Sequence, residues 1–192
     1  MLMKLFTLLK LVGLLGAIAY TVSPQLSSQT LSRLLPAGEP VHSGSSTRYT
    51  LVPGSIYDGD TFRVSDGNQE IKIRLCGINA PEKDQALGTA SRDHLRSLVA
   101  QGNGQIILTK TDTDQYGRTI AEAFIPLPDG EAEIHINSQM VADGMAYVYP
   151  QYIGSCPNAA PMRTAESNAK SNSLGVWSNP SSQKPWEYRR RS

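Results

Sequence analysis

Apolar and polar positions alternate most cleanly over Glu70-Ile71-Lys72-Ile73-Arg74-Leu75. This puts Ile71, Ile73 and Leu75 on one face of a strand and Lys72 and Arg74 on the other. β-Branched and aromatic residues predict two earlier strands, over 49–57 and 61–64, with turn residues at Asp58-Gly59 and Asp66-Gly67-Asn68. The period then changes. Leu87, Ala90, Leu95, Leu98 and Val99 recur at helical spacing over 86–100, and Gly102 and Gly104 close that run. Two more strands are expected over 105–109 and 119–126, around a polar loop, and two more helices over 134–142 and 161–174, the last stopped by Gly175. Turn-punctuated strands with three helices predict an α+β domain: an OB-type five-stranded antiparallel β-barrel with three flanking α-helices.

The two ends follow other patterns. Residues 5–22 are apolar apart from Lys10, two threonines and Tyr20, and Lys4 and Lys10 supply positive charge. Ala17-Ile18-Ala19 has the small-x-small form of a signal-peptidase site. Residues 1–22 therefore read as a signal peptide or as an N-terminal membrane anchor, the alternative being a core helix. Either export reading places the domain outside the cytoplasm, secreted, periplasmic or membrane-anchored. Residues 23–47, rich in Ser, Pro, Gly and Thr, read as a flexible linker. Residues 48–178 form the domain, and 179–192 a flexible basic tail with four Lys and Arg against one Glu, a net +3.

Composition narrows the function classes. The 192 residues carry 18 Lys and Arg against 17 Asp and Glu, so a charge-driven polycation is excluded. Over 48–178 the count is 11 Lys and Arg against 15 Asp and Glu, a net −4, so any polyanion must be held by a few local cations and by aromatic stacking. Two cysteines exclude a disulfide-dense miniprotein and a four-cysteine zinc site. Cys76 and Cys156 either pair, which an oxidising compartment permits, or remain one buried and one exposed thiol. His42, His94 and His135 have neither metal-ligand spacing nor a triad partner.

Candidate chemistry lies in three places. Asp58-Gly59-Asp60-Thr61 is a hairpin turn by itself, yet it aims a carboxylate at the start of the next strand, where it could bind a hard cation. Arg74-Leu75-Cys76-Gly77-Ile78-Asn79-Ala80-Pro81-Glu82 joins an arginine on a polar strand face to a glutamate on a proline-stiffened turn. That is how a general base would be held near a phosphate clamp. Asp112-Thr113-Asp114-Gln115-Tyr116-Gly117-Arg118 is a polar loop ending in an arginine at the next strand's start.

Taken together, Asp-Gly-Asp-Thr, Arg-x-x-Gly-Ile-x-x-Pro-Glu and Asp-x-Tyr-Gly-Arg, in this order, resemble the staphylococcal nuclease (thermonuclease) family. Gly88 and Ala90, Gly144 and Ala146 before Tyr147-Val148-Tyr149, and Gly175-Val176-Trp177 also match. The resemblance covers about 49–178. It implies a calcium-dependent endonuclease that hydrolyses single-stranded or denatured DNA and RNA to 3′-phosphate and 5′-hydroxyl ends. By position, the catalytic residues would be Arg74, Glu82 and Arg118. The Ca2+ ligands would be Asp60, Asn79 and the Ala80 carbonyl, and the nucleotide contacts Tyr116, Tyr147 and Tyr149. A monomer is expected, with no protein partner.

One departure stands out. The family has Asp where this chain has Asn79, so the expected calcium site lacks one charge. The alternative is a catalytically weakened domain acting as a nucleic-acid- or protein-binding module. Barrels of this type also bind peptides or oligosaccharides, and only the Arg, Glu, Arg and Asp constellation separates the chain from them.

Overall fold

The computed structural model describes residues 47–127 and 133–191. The signal or anchor segment and all but the last residue of the expected linker lie outside the described residues. Strands β1 (Thr47–Leu51), β2 (Thr61–Ser65) and β3 (Glu70–Leu75) form an antiparallel meander. A two-residue strand β4 (Ile78–Asn79) follows, then helix α1 (Gly88–Gln101) and strands β5 (Gln105–Thr113), β6 (Thr119–Pro126) and β7 (Glu133–His135). Helix α2 (Ile136–Ala142), strand β8 (Tyr147–Val148), helix α3 (Ala159–Ser171) and a short helix α4 (Pro185–Tyr188) complete the chain.

The sheet order is β3-β2-β1-β5-β6-β7, and β3 also pairs with β6. That extra pairing closes β1, β2, β3, β5 and β6 into the expected five-stranded barrel. Its other seams are antiparallel, whereas the closing β3–β6 seam is parallel, setting Arg74 opposite Ile120 and Leu75 opposite Ala121. The alternation read in β3 holds: Ile73 and Leu75 are buried in the core cluster, with Ile71 packed against it.

Element ends differ from the sequence reading for local reasons. The first strand stops at Leu51 because Pro53 and Gly54 turn the chain, Gly54 at φ 73°. Leu87 takes a left-handed φ of 68°, so α1 begins at Gly88. Its inward stripe is Gly88, Ser91, Leu95, Leu98 and Val99, which leaves Leu87 and Ala90 outside. Glu133–His135 extends the sheet beside β6, so the second helix begins only at Ile136.

β6 is buried on both faces. Ala121, Ala123 and Ile125 join the barrel core, while Glu122 meets the start of α3 and Phe124 stacks on His135 of β7. Glu122, fully buried, accepts hydrogen bonds from Asn158 N (2.7 Å) and Nδ2 (2.6 Å), which fixes the start of α3. Asn137, also buried, donates from Nδ2 to Cys76 O (2.8 Å) and accepts from Ala123 N (3.0 Å). It ties α2 to the barrel just beyond Arg74. Cys76 and Cys156 form a disulfide with Cα atoms 6.0 Å apart, so the paired alternative is the one realised. No helix among the described residues is long and apolar enough to cross a membrane.

Candidate active site

Barrel closure brings the three sequence motifs to one rim. In the register of β2 and β3, Thr61 lies opposite Arg74, so the Asp58–Asp60 turn sits beside that arginine. The β3–β6 register sets Arg74 opposite Ile120, two residues past Arg118. The chain reverses at Cys76 and Gly77 (φ 69°) into β4, which carries Asn79 and leads to Ala80 and Glu82. Asp58, Asp60, Arg74, Glu82, Tyr116, Arg118 and Tyr149 line a single cleft of about 870 Å³.

Asp60 is only 5% exposed and heavily bonded. Its Oδ2 accepts from Ala80 N (2.7 Å) and lies 3.1 Å from Arg74 Nη2, while its Oδ1 accepts from Thr61 Oγ1 (3.1 Å). These bonds tie the Asp-Gly-Asp turn to the Asn79–Ala80 segment across the rim. Asp58 Oδ1 accepts from Asp60 N (3.0 Å). Burial, and next the Asp60 charge beside it, push the Asp58 carboxyl up to about 7. Gly59 has no room for a side chain, since a Cβ there would lie 1.8 Å from Ser91 Oγ.

The cations are held in place by carboxylates. Arg74 Nη1 donates to Leu75 O (2.9 Å), so its guanidinium is fixed between that carbonyl and Asp60. Arg118 Nε donates to Asp114 Oδ2 (2.7 Å) and its guanidinium sits 5.6 Å from the Tyr116 ring centroid. Burial of Asp114 opposes its ionisation, but the Arg118 N–H, the Arg118 guanidinium and the Tyr116 N–H outweigh it and hold its carboxyl below the usual range. Glu82 has its N–H bonded to Gln85 Oε1 (2.9 Å), and its carboxylate meets Arg189 Nη1.

The tyrosines divide. Tyr116 is 74% exposed at the loop tip, an open aromatic face at the cleft. Tyr149 lines the cleft, but Trp186 stacks flat on it (5.2 Å, 10° between planes) and Tyr152 meets it edge-on. The expectation of a substrate contact at Tyr147 is corrected: that side chain is 2% exposed and its hydroxyl donates to Val176 O (3.2 Å). Burial pushes that hydroxyl up to about 12, so it remains a donor.

The tail expectation is corrected too. Residues 179–191 pack on the domain through α4, and Arg189 reaches Asn79 Oδ1 (3.3 Å) as well as Glu82. Sequence reasoning missed Arg189 and Trp186. The available signal was a tryptophan set just before an arginine triplet, an aromatic anchor that a freely solvated tail does not need.

The oxygen donors at this rim are of the chemical kind that a hard cation takes. No group of three or more His, Cys, Asp or Glu among the described residues is arranged to hold a metal. The Asp60 carboxylate, the Asn79 amide oxygen and the Ala80 carbonyl would supply the oxygens, and the Ala80 N–H bond keeps Asp60 next to that segment. Asn79 is fully buried and its Nδ2 has no hydrogen-bond partner among the described residues. The orphan amide is the cost of carrying Asn rather than Asp here.

Gly88 gives a test of the loop's seating. A Cβ there would stand 2.0 Å from Glu82 O and 2.9 Å from Lys83 O. Gly88→Ala is expected to push the Glu82 turn off α1 and lower turnover on the order of tenfold to a hundredfold, the scale of a misplacement near 1 Å. Steady-state kinetics beside a melting curve check this; full turnover would mean that the loop yields freely.

A closed barrel whose rim carries two fixed guanidiniums, a carboxylate turn and a glutamate on a stiff loop defines a small OB-type domain with its charged groups gathered in one cleft. Residues 72–179 match the family described as staphylococcal nuclease homologue, and the chain belongs to that family. It is 41% identical over 140 residues to the micrococcal nuclease of Shigella flexneri, covering 71% of this chain and 78% of that protein. It is 36% identical over 137 residues to an uncharacterized endonuclease of Escherichia coli O157:H7, covering 71% and 82%. An uncharacterized endonuclease of Haemophilus influenzae is 36% identical over 136 residues, covering 70% of each. Family and relatives together support a nuclease.

Proposed function

We propose that the protein is a calcium-dependent endonuclease hydrolysing single-stranded or denatured DNA and RNA by in-line attack of water, leaving 3′-phosphate and 5′-hydroxyl ends. The observation that carries this reading is the single cleft lined by Asp60, Arg74, Glu82 and Arg118. A phosphodiester gathers negative charge on its non-bridging oxygens as water attacks, and two always-protonated planar forks suit those oxygens. Arg74 and Arg118 would each exchange part of a carboxylate contact for the phosphate, needing little reorientation because Asp60 and Asp114 already hold them. Arg118 would also stabilise the leaving 5′ oxygen. Glu82 would accept the proton of the attacking water. Asp60, Asn79 and the Ala80 carbonyl would hold calcium, which when bound neutralises charge on the phosphate as a Lewis acid. Tyr116 would stack an unpaired base, which favours single strands.

We further propose an exported monomer, anchored or freed at residues 1–22; the Cys76–Cys156 bridge is in keeping with an oxidising compartment. The neutral Asn79 favours a second reading, a weakened nuclease acting as a binding module.

Digestion of heat-denatured DNA in calcium against chelator separates the two. Cleavage that needs calcium supports the enzyme; binding without cleavage at any calcium concentration supports the module. Asn79→Asp adds a charge and removes the orphan amide, so calcium affinity by calorimetry is expected to rise roughly tenfold. Unchanged affinity would show that Asn79 is not a ligand.

A further inference from the structure

We infer that Arg189, delivered by the C-terminal segment, is a positioning residue of the active site that holds the Glu82 carboxylate against Asn79. The inference rests on the nuclease reading for its kinetic consequence, but not for its geometry.

Glu82 sits on the turn after β4 and is about one-third exposed at its side chain. A glutamate there has several rotamers open to it, and holding one of them costs side-chain entropy that a bonded partner must offset. Among the described residues, its carboxylate is bonded by Arg189: Nη1 meets Glu82 Oε1 and also donates to Asn79 Oδ1 (3.3 Å). One guanidinium therefore sets the distance between the proposed base and a proposed calcium ligand.

The segment carrying Arg189 is fixed by separate contacts. Gln85, whose Oε1 holds Glu82 N, donates from Nε2 to Gln183 O (3.0 Å). Lys184 Nζ lies between two rings, 3.8 Å from the Tyr147 centroid and 3.9 Å from that of Trp177. Pro185 is buried at the start of α4, and Trp186 stacks on Tyr149. These anchors make the segment a wall of the cleft. Arg74 and Arg118 are held by Asp60, Leu75, Asp114 and Tyr116, none of them in the C-terminal segment, and Arg189 lines the same cleft.

The geometry also explains how tail residues and a loop about a hundred positions earlier act as one unit. Removing Arg189 should free Glu82 without unseating the segment, because Lys184, Pro185 and Trp186 remain.

The test compares wild type, Arg189→Ala and Arg189→Lys in turnover on denatured DNA, in crystal structures and in melting. Arg189→Ala is expected to lower kcat on the order of tenfold to a hundredfold with KM little changed. Added guanidinium ion should restore part of the loss, and Arg189→Lys should keep part of the activity, because a single amine can take the place of Nη1 but stands on a shorter stem. In the Arg189→Ala crystal structure Glu82 should leave its single rotamer while Trp186 stays on Tyr149. An unchanged kcat, a raised kcat (the mark of an inhibitory plug), a loss that guanidinium does not relieve, or a Glu82 fixed in its wild-type rotamer would each overturn the inference. An inactive wild type would sink the nuclease reading instead, and the Glu82 rotamer would still decide the role of Arg189.

Discussion

Glu82→Gln and Arg118→Ala are each expected to remove most of the turnover and leave the barrel folded. Glu82→Gln keeps the shape of the side chain and takes away the proton acceptor. Positioned general bases contribute about 10²- to 10⁴-fold, so kcat should fall by that much. Arg118→Ala removes a fork that would meet the charge growing on the phosphate, and single donors of that kind are worth about 10²- to 10³-fold. Folding should survive both. Asp114 keeps the N–H groups of Tyr116 and Arg118 when the guanidinium is gone, so its loop remains closed. The lost Arg118–Asp114 pair is partly exposed, and such pairs are worth about 1 kcal/mol or less. Cleavage rates on denatured DNA with calcium, beside thermal melts, check both variants. Turnover within a few-fold of wild type in either would remove that residue from the mechanism.

Opening the disulfide should have the largest effect on stability. Cys76 and Cys156 are 80 residues apart in sequence. The chain-entropy account gives about 4 kcal/mol for a loop of that length. Domains of this size are stable by about 5–15 kcal/mol, so the loss is a large share. Cys76→Ala with Cys156→Ala should lower the melting temperature on the order of 10–20 °C. Activity should fall as well, because the bridge ties the turn that follows Tyr149 to the end of β3. Ile153 and Cys156 there pack so closely on Gly77 that a Cβ on that glycine would lie 2.6 Å from Ile153 Cδ1 and 2.8 Å from Cys156 Sγ. Calorimetry of the double variant, and of wild type with and without reductant, measures it. An unchanged melting temperature would show that non-covalent packing alone holds the two segments.

The fold was legible wherever one face of an element is wet. The alternation in 70–75 gave the burial of Ile73 and Leu75 and the outward side of Lys72 and Arg74, and the residues found at the rim carry the same spacing that pointed to the family. Legibility failed where burial is two-sided or contacts are distant. Glu122 lies in a strand that is covered by the barrel on one side and helices on the other, so its polarity misleads until Asn158 is seen beside it. Tyr147 looks like Tyr149 two positions on, and strand alternation alone would put both on one face; β8 ends at Val148, so Tyr149 leaves the strand and lines the cleft while Tyr147 packs under Val176. The tail reads as solvated because its charge is conspicuous, whereas its docking depends on Trp186 finding Tyr149.

By itself the sequence determined the five barrel strands, the three longer helices, the kinds of group available for chemistry and the family, because period, turn residues and motif spacing are local properties of the chain. The tertiary structure decided which groups meet: the parallel β3–β6 seam that sets Arg74 beside the Arg118 loop, the bridge from Cys76 to Cys156, and the return of Arg189 to Glu82. Those are pairings between residues tens to a hundred positions apart, set by which surfaces are left to be buried once the barrel has closed, and no local pattern encodes them.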